Sequence, residues 1–192
     1  MSTLTDDLNM TGNTAPYNSS MDPNLPVGYD KSGTIFPLGR SYAPTGPMLF
    51  GAGYLVSTGN DMMTWLQFNM GIPTTSLPEL KLQQLNTWTL PQCPPDAKKK
   101  APLVSLGWFH HTETINGEQV TYLAKDGGVG GFTSWMGFQS WVETGQASPI
   151  GCFVLTNSHG ASGLGTSIIN ILLGNPTPVD VSVEAEYVTP PE

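Results

Sequence analysis

Charge is scarce in this chain. Only 11% of its 192 residues are Asp, Glu, Lys or Arg, and the shortage falls on the cations: seven Lys and Arg stand against fifteen Asp and Glu, a formal net charge of -8. A surface of that sign repels phosphate backbones and draws nothing toward anionic lipid, which excludes nucleic acid as a partner. The one basic run, Lys98-Lys99-Lys100, follows Pro94 and Pro95 and reads as a solvated loop, too short for a binding patch. Cysteine is nearly absent. Cys93 and Cys152 fit neither a metal-ligand spacing nor a CxxC redox motif, so they read as free thiols that leave the redox compartment open. Long apolar runs are missing too. No stretch approaches the roughly 20 residues of a membrane span. Residues 1–10, with Asp6 and Asp7, have neither the basic n-region nor the apolar h-region of a secretory signal.

What is abundant is punctuation. With 22 glycines, 17 prolines and 39% hydrophobic residues, the composition predicts one globular core broken by many turns and argues against a helical bundle. Residues 1–50 show little periodicity and many breakers, and read as an irregular segment that lies over other structure. From Ser57 and Thr58 a capped helix is expected, with Asp61 in its first turn and Met62, Trp65, Leu66 and Asn69 at helical spacing before Gly71 and Pro73. Ser76-Leu77-Pro78-Glu79 is a capping box, opening a second helix to about Trp88 and making 57–90 helical. Beyond a Pro-rich loop the pattern turns to strands over 103–112, 119–125, 131–139 and 149–156, with Asn116-Gly117 as a hairpin turn, which predicts a four-stranded antiparallel meander. The last element, 164–173, is an amphipathic helix with Ile168, Ile169, Leu172 and Leu173 on one stripe, covering a sheet face. Residues 1–174 thus form the folded part, and 175–192, rich in Pro, reads as a poorly ordered tail.

The stretch with motif character is Lys125-Asp126-Gly127-Gly128-Val129-Gly130-Gly131-Phe132. Its glycines fit a bulge or tight turn, and they have neither the GxGxxG nor the Walker spacing of a phosphate loop. The order of elements around it resembles the C-terminal half of the serine β-lactamase and penicillin-binding-protein superfamily, in the class C and esterase-like branch. The residues that carry the likeness are Gly28-Tyr29-Asp30 with Gly33, the run Gly51-Ala52-Gly53-Tyr54-Leu55-Val56-Ser57-Thr58 into Asn60-Asp61-Met62, Leu106-Gly107-Trp108-Phe109, Lys125-Asp126-Gly127, Gly130-Gly131-Phe132-Thr133-Ser134 and Val154-Leu155-Thr156-Asn157. It spans roughly residues 4 to 175.

The resemblance implies an α+β fold, an antiparallel sheet flanked by helices, here a partial β-lactamase or transpeptidase-like domain. It places Lys125 where the family has the lysine or histidine of its third motif, facing the catalytic serine. Gly127 and Tyr54 would border the substrate, and the backbone N–H of Gly128 would be one oxyanion donor. Asp126 stands where a Thr or Ser is usual, replacing a hydroxyl donor with a carboxylate and disfavouring anionic substrates. Two family motifs are missing. No lysine of the chain has Ser three places before it, and no tyrosine has Asn two places after it. Near the final helix, Ser162 and Gly165 stand where class C enzymes carry an Asn and an Arg for the β-lactam carboxylate. Ser158 beside His159 does not replace the missing nucleophile, because a strand-end pair without a nucleophile elbow is no triad, and His110-His111 on one strand face opposite ways and make no metal site.

The expected function is therefore acyl transfer in a serine hydrolase of β-lactamase, DD-peptidase or esterase type, with this chain contributing Lys125 and an oxyanion-hole N–H but no nucleophile. The substrate would be a small ester, amide or β-lactam, with no metal or organic cofactor. An N-terminal companion half or self-association would complete the site and cover a sheet face and edge. The resemblance also implies a secreted or periplasmic setting. The rival expectation is a truncated or diverged, non-catalytic binding or interaction module.

Overall fold

A computed structural model describes residues 7–10, 15–16, 25–36, 55–72, 87–89, 102–139 and 150–175. Its centre is an antiparallel sheet of six strands in the order of the chain: β3 (Trp88–Thr89), β4 (Leu103–Ser105), β5 (Trp108–Ile115), β6 (Glu118–Val129), β7 (Phe132–Phe138) and β8 (Gly151–Thr156). Earlier in the chain β1 (Ala15–Pro16) pairs with β2 (Leu55–Val56), and α1 (Gly59–Asn69) follows; α2 (Ala161–Leu172) comes after β8.

From β4 to β7 successive strands pair as neighbours because two-residue turns join them. At Asn116 and Gly117 φ is 53° and 85°, the left-handed pair of a two-residue hairpin, and Asn-Gly is the dipeptide that adopts it most readily. The sheet differs from the expected meander in three ways. The Leu106-Gly107 turn splits the expected strand 103–112 into β4 and β5. Trp88, expected to end a helix, lies in β3 instead; the rest of that helix and the tail beyond Asn175 fall outside the described residues. Finally β6 does not end at Lys125 but runs to Val129, with Gly127 and Gly128 in register with Ser134 and Thr133 of β7.

Side chains alternate across the sheet, and each face carries its own core. On one face Tyr122, Ala124, Trp135 and Val154 meet Ala161 and Ile169 of α2. On the other, Leu123, Met136 and Phe138 meet Leu66 and Met70 of the α1 segment, with Met62, Trp65, Trp108 and Phe153 packed around them. The sequence left this second face without a partner; α1 covers part of it. Thr58 starts α1 by accepting the Asp61 N–H on its hydroxyl at 3.2 Å.

On the first face contact depends on the absence of side chains. A Cβ added at Gly165 or at Gly137 would enter the Trp135 indole, so the ring is held between a helix backbone and its own strand. Replacing Gly165 by Ala gains about 1 kcal/mol of helix propensity but overfills this contact, at a cost of about 1–3 kcal/mol. Because the ring has no room to retreat past Gly137, the overfilling wins. We expect Gly165→Ala to lower the unfolding free energy in urea, whereas Ser167→Ala, which removes only a hydroxyl bound to the Gly163 carbonyl, changes it by less than about 0.5 kcal/mol.

Candidate functional site

The glycine-rich stretch has two parts. Gly130 and Gly131, at φ 52° and 81°, form the two-residue turn that closes Val129 against Phe132, a geometry that side chains resist. Gly127 and Gly128 precede it inside β6. On the β5 side, pairing stops at Phe109 with Ala124. Among the described residues, 125–129 are therefore paired on the β7 side only, leaving one strand edge beside two residues without side chains.

Lys125 stands where this edge begins. Its ammonium donates to the Asp126 carboxylate and to the Asp126 carbonyl, both at 2.6 Å, and lies 5.6 Å from the centre of the Phe109 ring. The two side chains are 47% and 45% exposed, so the pair is screened by water and contributes little to stability. Its effect is local: the charges of Lys125 and Asp126 offset one another at the site. A Cβ at Gly127 would come within 2.8 Å of the Ser134 hydroxyl, so that hydroxyl occupies the space a side chain would take.

The turn after Gly128 is held by a remote segment. The Tyr29 N–H donates to the carbonyls of Asn157 at 3.0 Å and Gly131 at 3.3 Å, and the Asn157 amide donates to the Val27 carbonyl at 2.9 Å. Gly28 is needed for this approach, since a Cβ there would stand 2.5 Å from the Gly130 carbonyl oxygen. The segment turns back at once: Tyr29 bridges Ile35, and Asp30 accepts from the Ser32 N–H, the Ser32 hydroxyl and the Thr34 N–H at 2.6–2.9 Å. The Ser32 hydroxyl, followed by the Thr34 amide, holds the Asp30 carboxyl below its usual range.

Of the residues singled out from sequence, Lys125, Asp126, Gly127 and Gly128 lie consecutively on β6, while Tyr54 falls outside the described residues. The histidines are not gathered into a site. His110 stands opposite Leu123, and His111 stacks on Tyr122 with ring centres 5.0 Å apart. The Ser158 carbonyl accepts from the hydroxyls of Thr133 and Thr156, both at 2.7 Å, and so serves the fold. Burial lifts the Cys152 thiol to about 11 and the Tyr122 phenol to about 12, which keeps both protonated at neutral pH. Among the described residues no group of three or more His, Cys, Asp or Glu is placed to hold a metal ion, and no helix is long and apolar enough to cross a membrane. The sequence named Phe109, Ser134 and Asn157 as carriers of the resemblance but gave them no place at the site, which they reach through pairing or turns between distant segments.

A sheet with a helix on each face, among the described residues, is an α+β arrangement. The family model described as Beta-lactamase matches residues 2–171, and the chain belongs to that family. No curated protein matches it.

His111 is exposed along its strand, but partial desolvation of its ring, which stacks on Tyr122, lowers its pKa from its ordinary 6.5. The unfolded chain then binds a proton at a pH where the folded chain does not, so His111 withdraws stability as pH falls below about 6.5. We expect the melting temperature to decline from that pH downward. His111→Phe, which keeps a ring on Tyr122, should flatten the first part of the decline; an unchanged profile would remove His111 as its cause.

Proposed function

We propose that this chain supplies one wall of an acyl-transfer site of the serine hydrolase type. Family membership over residues 2–171 makes a serine ester the expected intermediate. The observation that carries the reading is the strand edge at 125–129, unpaired on one side among the described residues and lined by Lys125, Gly127 and Gly128. A substrate acyl group laid against this edge meets no side chain at the two glycines. The Gly128 N–H polarises the carbonyl, and a serine hydroxyl attacks the carbonyl carbon; the bond to the leaving group breaks, and water later releases the acyl group. The serine and its proton-handling Lys and Tyr come from a companion half, because the sequence contains neither Ser-x-x-Lys nor Tyr-x-Asn.

The Lys125–Asp126 pair narrows the substrate. A lysine alone would grip a carboxylate, but with the Asp126 carboxylate 2.6 Å from its ammonium an incoming anion meets a negative group together with the positive one. Neutral esters and amides fit better than anionic β-lactams. A second reading, a non-catalytic binding module, draws on the same missing motifs.

By itself the chain should show no saturable turnover of a chromogenic cephalosporin or a p-nitrophenyl ester, since an oxyanion donor without a nucleophile cannot attack. Supplied with a family N-terminal half that restores turnover, Lys125→Ala should lower kcat/KM at least tenfold, about 1.4 kcal/mol, with little change in melting temperature. Equal activity in wild type and Lys125→Ala would make Lys125 to Gly128 a structural turn only. In the same assembly Asp126→Thr removes a negative charge and adds a hydroxyl donor, and should shift preference from neutral toward carboxylate-bearing esters. A preference that stays fixed would overturn the role given to Asp126.

A further inference from the structure

The turn at the end of β6 decides which way the backbone groups at the open edge point. A two-residue turn leaves its flanking residues as a mutually hydrogen-bonded pair, so Val129 and Phe132 exchange N–H and C=O across Gly130-Gly131. Every second residue back along β6 then faces β7 in the same way. The Gln139 N–H, bonded to the Ile150 carbonyl at 2.8 Å, fixes the same alternation from the far side of β7. Lys125, Gly127 and Val129 therefore use their backbone groups on β7. Asp126 and Gly128 turn theirs to the open side, where pairing with β5 has already stopped at Ala124. Among the described residues no strand meets them.

One side chain does. Alternation across the sheet puts Lys125 on the face of Leu123 and Met136, and Asp126 on the face of Ala124 and Trp135. The Lys125 ammonium does not stay on its own face. It crosses the open edge to lie 2.6 Å from both the carboxylate and the carbonyl of Asp126, and 5.6 Å from the centre of the Phe109 ring, whose pairing with Ala124 places Phe109 on the opposite face from Lys125. The carbonyl it occupies is one of the two that Asp126 and Gly128 turn outward. Lysine is a common guard of strand edges, and here the guard is tied to the strand's own backbone.

We propose that Lys125 and Asp126 form a gate on this edge, closed in the resting chain, which a ligand laid along residues 126–128 opens by sending the ammonium back to its own face. Asp126 holds the gate shut and is a positioning residue: it acts on the ligand through Lys125. The clasp itself is independent of catalysis. Its kinetic consequence rests on the acyl-transfer reading, under which the closed gate caps the Asp126 carbonyl and keeps the ammonium away from the incoming acyl group. The gate is shallow, because both side chains are half-exposed; an ion pair in that setting favours the closed state by a factor of about two to five. Apparent affinity for anything that takes the edge falls by about the same factor. Opening moves one side chain and leaves the backbone where it is.

Exchange of the Lys125 ammonium protons with water, followed by nitrogen-resolved NMR on the full chain in the cold at mildly acidic pH, reads the gate directly. Wild type should exchange about threefold more slowly than Asp126→Ala. Asp126→Glu, which keeps a carboxylate on the same face, should restore slow exchange. Potassium chloride screens the pair, so it should speed the wild type toward the Asp126→Ala rate and leave Asp126→Ala unchanged. Should Asp126→Ala fail to fold, the salt titration of the wild type decides alone, and a rate that salt does not change overturns the gate. Equal exchange in wild type and Asp126→Ala does the same, whatever the chain does in catalysis. With the family N-terminal half that restores turnover, Asp126→Ala should raise kcat/KM for a neutral p-nitrophenyl ester about twofold to fivefold, through KM and not kcat. Exchange released in Asp126→Ala without that rise overturns the gating of substrate. If Lys125→Ala costs no activity in that assembly, the acyl-transfer role of Lys125 falls, and the exchange rates by themselves decide the gate.

Discussion

The packing of the Trp135 indole between Gly137 and Gly165 is the contact on which the arrangement of the sheet and its last helix depends. A tryptophan buries a large apolar surface, but it needs a flat surface on each side. Here both surfaces are backbone. The glycine in α2 brings the helix down onto the ring, and from that height Ile169 and Ala161 reach Tyr122, Ala124 and Val154. The opposite face repeats the device in milder form: a Cβ at Gly151 would meet Met70 Sδ at 2.7 Å, and the end of α1 rests where that side chain is missing. Glycine, usually costly inside a helix or strand, is kept at these points because close approach buries more apolar surface than the lost propensity costs.

Such contacts also explain which features the sequence made legible. Helix α1 carries its own start signal in Thr58 and its own stop in Gly71, and its stripe can be read without knowing its partner. The start of α2 cannot be found this way. Gly160 offers no side-chain cap, and the Ala161 N–H is taken by Thr133, 28 residues earlier on β7. Sequence spacing therefore set the helix at 164, although it begins at Ala161. The end of β6 failed for a related reason. A run of glycines reads locally as a break, yet Gly127 and Gly128 are kept extended by pairing with Ser134 and Thr133, and only Gly130 and Gly131 turn. At the candidate site, the resemblance picked out Lys125 to Gly128 and also named Gly28 and Asn157, but that these last two meet beside the glycine turn is visible only in the folded chain.

Electrostatics at the site follow from a single substitution of type. With a hydroxyl residue after Lys125, the ammonium would stand free to act on whatever enters the edge. With Asp126, Lys125 and its neighbour form a neutral pair over the Phe109 ring, in a protein whose net charge of -8 already repels anions. The pair adds no net charge, so the field around the site takes its sign from the chain as a whole.

The bond from Asn157 to Val27 joins residues 130 apart in sequence, whereas the strands from β4 to β8 each pair with the next. Closing a loop costs more entropy as it lengthens, though only about 0.6 kcal/mol per doubling, and contacts between distant segments pay that cost before they gain anything. The meander can therefore assemble from its hairpins first, with the 27–36 segment settling on the Gly130-Gly131 turn afterwards. Chain topology therefore favours a sheet that forms before the 27–36 segment is anchored on its glycine turn.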